Sequence, residues 1–194
     1  NRAEIASAKI LHLDDADEPS IQAAKWAKEA GICVVYDGSW YNKSVMKLLP
    51  FVDVPIFGEA FAQQWMPGVP PDKVVQRLCD LGARIAVVTL GERGCIAKWE
   101  RGIFAFPAFP VNMVDTTGAG DAFHGGFIYG LLQDWSVEET VRFASAVAAL
   151  NCCTLGGRSG LPKLEAVERF MAENPSFAFD PILTTSSHMP LTNL

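Results

Sequence analysis

The sequence predicts an α/β protein, a doubly wound and mostly parallel sheet flanked by helices. Three observations carry that reading. Short apolar runs of strand length, such as 32–36 and 84–90, alternate with longer stretches of helical periodicity. These runs lack the polar alternation of a half-exposed strand, as suits strands buried on both faces of a parallel sheet. Glycines and prolines punctuate the joints, with Gly31 and Gly82 after helical stretches and Pro67, Pro70 and Pro71 before one. In such a sheet, ligands sit beyond the C-terminal ends of the strands.

Taken in order, 9–13 reads as a strand and 16–30 as a helix closed by Gly31. Residues 32–36 form the next strand, terminated by Asp37-Gly38-Ser39, and a helix around 42–49 leads to a strand at 52–57. A helix starts at Glu59, another covers about 72–81, and 84–90 is a further buried strand. Cys95–Trp99 and 103–106, joined by Glu100-Arg101-Gly102, have the form of a hairpin. Helices follow at Ala119–Leu132, Val137–Asn151 and around 163–173, with a glycine loop at 156–160. One domain over 1–174 is expected, and 175–194 reads as a tail, disordered or vector-derived, to which no function is given.

Composition narrows the function classes. A chain of 194 residues can bury one sizeable core, and 49% hydrophobic with 20% charged residues is ordinary for a globular α/β domain. The net charge of −6, without a Lys/Arg cluster, argues against a nucleic-acid surface. No apolar run approaches the roughly 18 residues of a membrane span, and no secretory leader is recognisable. Cys33, Cys79, Cys95, Cys152 and Cys153 lack C-x-x-C spacing and read as reduced, mostly buried thiols of a cytoplasmic protein.

The stretch 114–126, V-D-T-T-G-A-G-D-A-F-H-G-G, organises the rest. Phe123, Phe127, Gly130 and Leu131 share one helical face, so Gly118, Ala119, Gly120 and Asp121 fall on the first turn, with Thr116 or Thr117 able to cap it. A helix start carries unpaired N–H groups and partial positive charge, and small residues let an anion approach them. Asp121 puts a carboxylate in that same place. By itself, a first-turn acid favours the helix dipole.

The long run D-T-T-G-A-G-D-A-F resembles the C-terminal signature of the ribokinase-like (PfkB-type) carbohydrate kinases, and the resemblance extends from the first strand to about Asn174. It implies an ATP-dependent sugar kinase of ribokinase-like fold. Asp121 would be the base that takes the sugar hydroxyl proton, and the N–H groups of Gly118, Ala119, Gly120 and Asp121 would hold the transferring phosphoryl group. The chemistry agrees, because phosphoryl transfer relies on positioning and charge stabilisation. The resemblance places ATP along Thr89-Leu90-Gly91-Glu92-Arg93-Gly94, with Thr89, Gly91 and Gly94 approaching phosphates and ribose, and Gly120 at the phosphates. Ser145 would lie by the adenine, with magnesium bridging the phosphates. No G-K-[ST] is present, so this is not a P-loop. An optional potassium site would involve Asp115, Thr117, Asn151, Thr154, Gly156 and Gly160, largely through carbonyls that leave little sequence trace. A small-molecule sugar is the implied partner, with a homodimer among the options for assembly. The family's earlier glycine-rich sugar-binding signature has no match, so the expectation is a C-terminal part of such a kinase, with the sugar leaning weakly to the ketohexose-like branch.

Several departures qualify the resemblance. The family usually has N-x-x-E after the strand that ends here at Phe57, where this chain reads Gly58-Glu59-Ala60-Phe61. Glu59 reads more readily as a helix-start acid than as a substitute. Of a common D-x-N-x-R run only Asp37 remains, either facing phosphates or ending a strand. His124 is expected to be structural or substrate-adjacent and not a second base, and His12 is expected to be a core histidine. A dinucleotide-dependent dehydrogenase is disfavoured, because the third glycine of G-x-G-x-x-G is missing. A non-catalytic nucleotide-binding or regulatory module derived from such kinases is the remaining alternative.

Overall fold

The computed structural model describes residues 1–175 and Asp180–Pro181. Its centre is a single sheet of seven strands in sequential order: β1 (Ile10–Leu13), β2 (Cys33–Gly38), β3 (Val54–Gly58), β4 (Ala86–Thr89), β5 (Cys95–Trp99), β6 (Gly102–Phe106) and β7 (Asp180–Pro181). β1 to β4 pair in parallel, and β4 to β7 antiparallel. The parallel half requires crossovers, which are supplied by α2 (Glu18–Glu29), α3 (Val45–Leu48), α4 (Glu59–Trp65) and α5 (Pro71–Asp80). Two further elements, α6 (Ala119–Leu132) and α7 (Val137–Asn151), follow the hairpin β5–β6, and α8 (Leu164–Glu173) follows them.

Helices cover both faces, as the apolar strands require. Along β2, Val34 and Tyr36 enter the core under α2–α5 while Val35 enters the core under α6 and α7. β3 and β4 divide in the same way, with Phe57, Ala86 and Val88 on the first face and Ile56 and Val87 on the second. The alternation follows from the two-residue period of a strand, and each face gains an apolar lining from one short segment. Asp53, 8% exposed, ties the parallel strands at their entry: its Oδ2 accepts from Val34 N at 2.9 Å, and Lys28 Nζ lies 3.2 Å from Oδ1.

The structure departs from the sequence expectation at a few joints. A short helix, α1 (Arg2–Ser7), precedes the first predicted strand, and Asn1 and Glu4 close a capping box on it. β2 runs on through Asp37 and Gly38, which pair with Ile56 and Phe57, so Asp37 lies within the strand. Most of the tail 175–194 is outside the described residues, but Asp180–Pro181 pairs with Phe104 and Ala105 as the edge strand. The cysteines are not mostly buried. Cys95 alone is buried, Cys153 is exposed and the other three are intermediate, all of them free thiols. No helix among the described residues is long and apolar enough to cross a membrane.

α6 and α7 pack through glycines. A Cβ on Gly126 would stand 2.8 Å from Ala144 Cα, and one on Gly130 would stand 2.7 Å from Thr140 Oγ1. The neighbouring Gly125 is exposed and would place its Cβ in open space. These two adjacent glycines therefore make a matched test. Gly125→Ala is expected to raise stability by about 0.5–1 kcal/mol through helix propensity. Gly126→Ala is expected to lower it by about 1–3 kcal/mol, because the seam must open. Denaturant unfolding of both variants measures the difference, and equal effects would remove the seam from the account.

Candidate active site

The C-terminal ends of the parallel strands bring Asp37 (β2), Gly58 (β3) and Thr89 (β4) to one side of the sheet. The N-terminal half of α6 faces that side, since His124 in its second turn has its Nε2 3.3 Å from Asp37 Oδ1. α6 begins at Gly118, which takes φ +74 and would drive a Cβ to 2.7 Å from Gly157 O. Both conditions demand glycine. Neither threonine side chain caps the helix; Thr116 contributes its carbonyl to Ala119 N at 3.1 Å, and Ala122 N begins the helical ladder at Gly118 O. The amides of Gly118, Gly120 and Asp121 have no partner among the described residues. Ala119 thus spends its N–H within the turn, while Gly120 and Asp121 present theirs, and a Cβ on Gly120 would meet nothing within 4 Å. Asp121 is exposed beside these amides. A cavity of about 630 Å³ opens next to it, lined among others by Gly125, Tyr129, Val147, Arg158 and Leu161.

The segment before α6 is held by the loop after α7. Asp115 Oδ1 accepts from Thr117 N at 2.9 Å and Thr117 Oγ1 at 2.8 Å, while Oδ2 accepts from Gly156 N at 2.8 Å. The amide of Thr117 first, then those of Gly156 and the Thr117 hydroxyl, hold the Asp115 carboxyl below the usual carboxylate range. Cys152 O receives Val114 N at 2.8 Å, and Asn151 Nδ2 donates to Thr117 O at 3.1 Å. Asn151 is fully buried and its Oδ1 has no partner among the described residues. Gly160 closes over Asn151, where a Cβ would stand 2.3 Å from its carbonyl oxygen, and Thr154 N reaches that same oxygen at 3.4 Å. The six residues of the expected cation site therefore share one pair of loops.

The expected nucleotide loop lies between β4 and β5. Thr89 Oγ1 donates to Phe57 O at 3.4 Å, Gly91 takes φ +60, and a Cβ on Gly94 would stand 1.9 Å from Phe106 O. Gly94 thereby packs on the backbone that runs towards Asp115. Glu59, in the first turn of α4, pairs with Arg93 and so anchors this loop. Ser145 is 9% exposed on α7, and neither it nor Thr89, Gly91 or Gly94 lines the cavity beside Asp121.

His12 departs from expectation, and His124 lies beside it. His12 is exposed on β1 and not a core residue, and its ring centroid lies 5.7 Å from that of His124. Loss of hydration beside its neighbours, then the nearby His124, lowers the His12 pKa, against the opposing pull of Asp37, Asp14 and Asp121. His124 is buried, and it lies three residues, nearly one turn, after Asp121. Burial works to raise the Asp37 carboxyl, but His124 and the 2.6 Å hydrogen bond from Ser39 Oγ outweigh it and leave the pKa below its ordinary value. The sequence carries no local signal for this meeting of β1, β2 and α6, because the three residues are remote in the chain.

Comparison with known proteins bears on the family and the fold. The sequence profile described as pfkB family carbohydrate kinase matches residues 1–164. A ribokinase of Lactococcus lactis is 29% identical over 164 residues, covering 84% of this chain and 53% of that protein. The chain spans about half the length of such curated relatives. Among solved structures, ribokinase from Thermotoga maritima superposes with TM-score 0.79 at 27% identity, covering 89% of this chain and 59% of the other. Ribokinase from Arabidopsis thaliana, complexed with ribose and ATP, superposes with TM-score 0.76 at 26% identity, covering 88% and 64%. With its profile match, its ribokinase-like fold and a G-A-G-D turn at the strand ends, this chain belongs to the pfkB family of carbohydrate kinases.

Proposed function

We propose that the chain carries the nucleotide-binding and phosphoryl-transfer part of an ATP-dependent sugar kinase. The observation that carries this reading is the exposed carboxylate of Asp121 on a helix turn whose Gly120 and Asp121 amides are unpaired among the described residues, with open space beside Gly120. A sugar hydroxyl beside Asp121 loses its proton to the carboxylate as its oxygen attacks the γ-phosphorus. The bond from that phosphorus to the bridging oxygen breaks and ADP leaves. Amides at the helix start stabilise the equatorial oxygens, with the helix dipole adding to them. The Arabidopsis ribokinase, complexed with ribose and ATP, supports the substrate classes. ATP would approach along Thr89, Gly91 and Gly94, with Ser145 on the adenine side.

A divalent cation on the phosphates neutralises developing charge in reactions of this kind. The strand end where the family usually carries N-x-x-E offers Gly58 and the fully buried Phe61, and Glu59 is engaged by Arg93. This stretch lacks the Asn and the Glu of that pattern, and no step above passes through such an ion. The loops around Asp115 suit a monovalent cation better, since the orphaned Asn151 Oδ1 and the crowded carbonyls of Thr117 and Asn151 are oxygen donors of the right class. Such an ion would stiffen the turn that presents Gly120 and Asp121. The non-catalytic reading has its own support in the missing N-x-x-E.

Three measurements on the full-length protein that carries this chain test these statements. With ATP, magnesium and a panel of sugars, Asp121→Asn is expected to cut ADP release at least about a hundredfold while retaining ATP binding. Turnover within a few-fold of wild type would remove Asp121 as the base. No turnover by wild type on any sugar, with ATP still bound, would establish the non-catalytic module. Replacing potassium by tetramethylammonium is expected to weaken turnover several-fold, and Asn151→Leu to abolish that dependence; indifference to potassium would sink the cation site. The depressed Asp115 pKa gives a pH dependence with a definite sign. Its contribution is complete above the unfolded value of about 3.9 and is lost as pH falls through the lower folded value. Asp115→Asn is expected to remove that acid limb from a pH titration of stability.

A further inference from the structure

His12, Asp37 and His124 come from β1, the end of β2 and the second turn of α6, yet one ligand atom from each lies within 4.8 Å of the others. Two imidazoles with one carboxylate is a donor set for borderline transition ions rather than for magnesium, which prefers oxygen. The spacing agrees. Zinc bonds of about 2.0–2.1 Å at a tetrahedral centre put neighbouring ligand atoms about 3.3 Å apart. His124 Nε2 and Asp37 Oδ1 are separated by 3.3 Å.

The charges around the trio favour a cation. His124 turns Nε2 to Asp37, and its other ring nitrogen, Nδ1, is buried without a partner among the described residues. Asp14 and Asp121 also act electrostatically on His12, so the surroundings are acidic. An anion there would face three carboxylates with Asp37 included. Asp37 is itself held by Ser39, the outer support that metal-binding carboxylates commonly have. His12 is the exposed member of the trio, and its ligand atom lies within 4.8 Å of the other two.

We propose that His12, Asp37 and His124 form a binding site for a divalent transition ion of the zinc class, one helical turn from Asp121 and separate from any ion carried on nucleotide phosphates. Three protein ligands leave a position for water or a substrate oxygen. The ion would tie β1 to the start of α6, which gives it a structural effect that is independent of turnover.

The test uses the full-length protein, stripped with chelator and then supplied with Zn²⁺ alone or with Co²⁺ as a spectroscopic probe. Wild type is expected to retain about one equivalent of zinc through desalting and to gain thermal stability with zinc but not with magnesium. His12→Gln is expected to weaken zinc binding at least about tenfold, with circular dichroism confirming its fold. His124→Gln is expected to do the same, with circular dichroism confirming its fold. The Co²⁺ form should show visible bands of nitrogen and oxygen ligation. Retention of zinc equal in wild type and His12→Gln would overturn the site. So would a thiolate charge-transfer band, which would transfer the metal to exposed Cys153 and its neighbour Cys152.

Discussion

The Asp115 carboxylate is the contact on which the arrangement of the site depends. A single side chain accepts three hydrogen bonds, two from Thr117 and one from Gly156, residues that enter the site from opposite directions in the chain. Its short reach forces the segment before α6 into a tight turn, which places Gly118 in the left-handed region and leaves the next amides unpaired. The same carboxylate fixes the loop after α7, so both ends of the α6–α7 pair are tied at one point. An amide in its place could accept on one atom only and would leave a donor facing a donor. The acidity of this position is thus a geometric requirement of the turn and not a surface charge.

The glycine seam carries that fixation into the fold. With Gly126 against Ala144 and Gly130 against Thr140, α6 and α7 approach until backbone meets side chain, and they cannot slide without a clash. Phe123 and Phe127 on the adjoining face of α6 reach the strands through Val35, Ile56 and Val87. The helix start is thereby positioned by three independent restraints: the sheet beneath it, the neighbouring helix and the Asp115 turn. A site that relies on fixed amides instead of mobile charges gains from such over-determination, because preorganised donors need not reorient as charge develops.

What can be read from the sequence follows the range of the physical signal. The starts and ends of α6 and α7, the hairpin and the buried strands are set by neighbours a few residues away, and they lie where Gly31, Gly82, Gly118 and the apolar runs indicate. The Asp115 turn is legible only in part: Asp115 and Thr117 sit inside one long motif, but the expected threonine cap gives way to Asp115 accepting from Thr117 and from the distant Gly156. The capping box of α1 is equally local, but Asn at its first position marks it more weakly than Ser or Thr would. Extension of β2 through Asp37 is hidden by the turn-like composition Asp37-Gly38-Ser39, which a neighbouring strand overrides. The trio of His12, Asp37 and His124 has no local trace, since it exists only once the crossover α2 and the return of α6 bring three distant segments together.

The lost N-x-x-E has a structural counterpart that makes it a coherent change and not a gap. Phe61, at the last position of that pattern, is fully buried, with its ring centroid 4.2 Å from Phe57, 5.7 Å from Tyr41 and 6.4 Å from Tyr36. Phe57 in turn covers Gly38, where a Cβ would stand 2.4 Å from its ring. Gly38 is thus small because Phe57 lies over it, and Phe57 lies there as part of the cluster that takes in Phe61. Restoring a glutamate at Phe61 alone would bury a carboxylate among these aromatic rings without a partner, at a cost that single substitutions rarely survive. The end of β2, by contrast, does hold a buried carboxylate. Asp37 follows Tyr36 in the strand and so points to the opposite face, where it meets His124 of α6. The alternation that sends Tyr36 into the aromatic cluster thus turns Asp37 towards the helix.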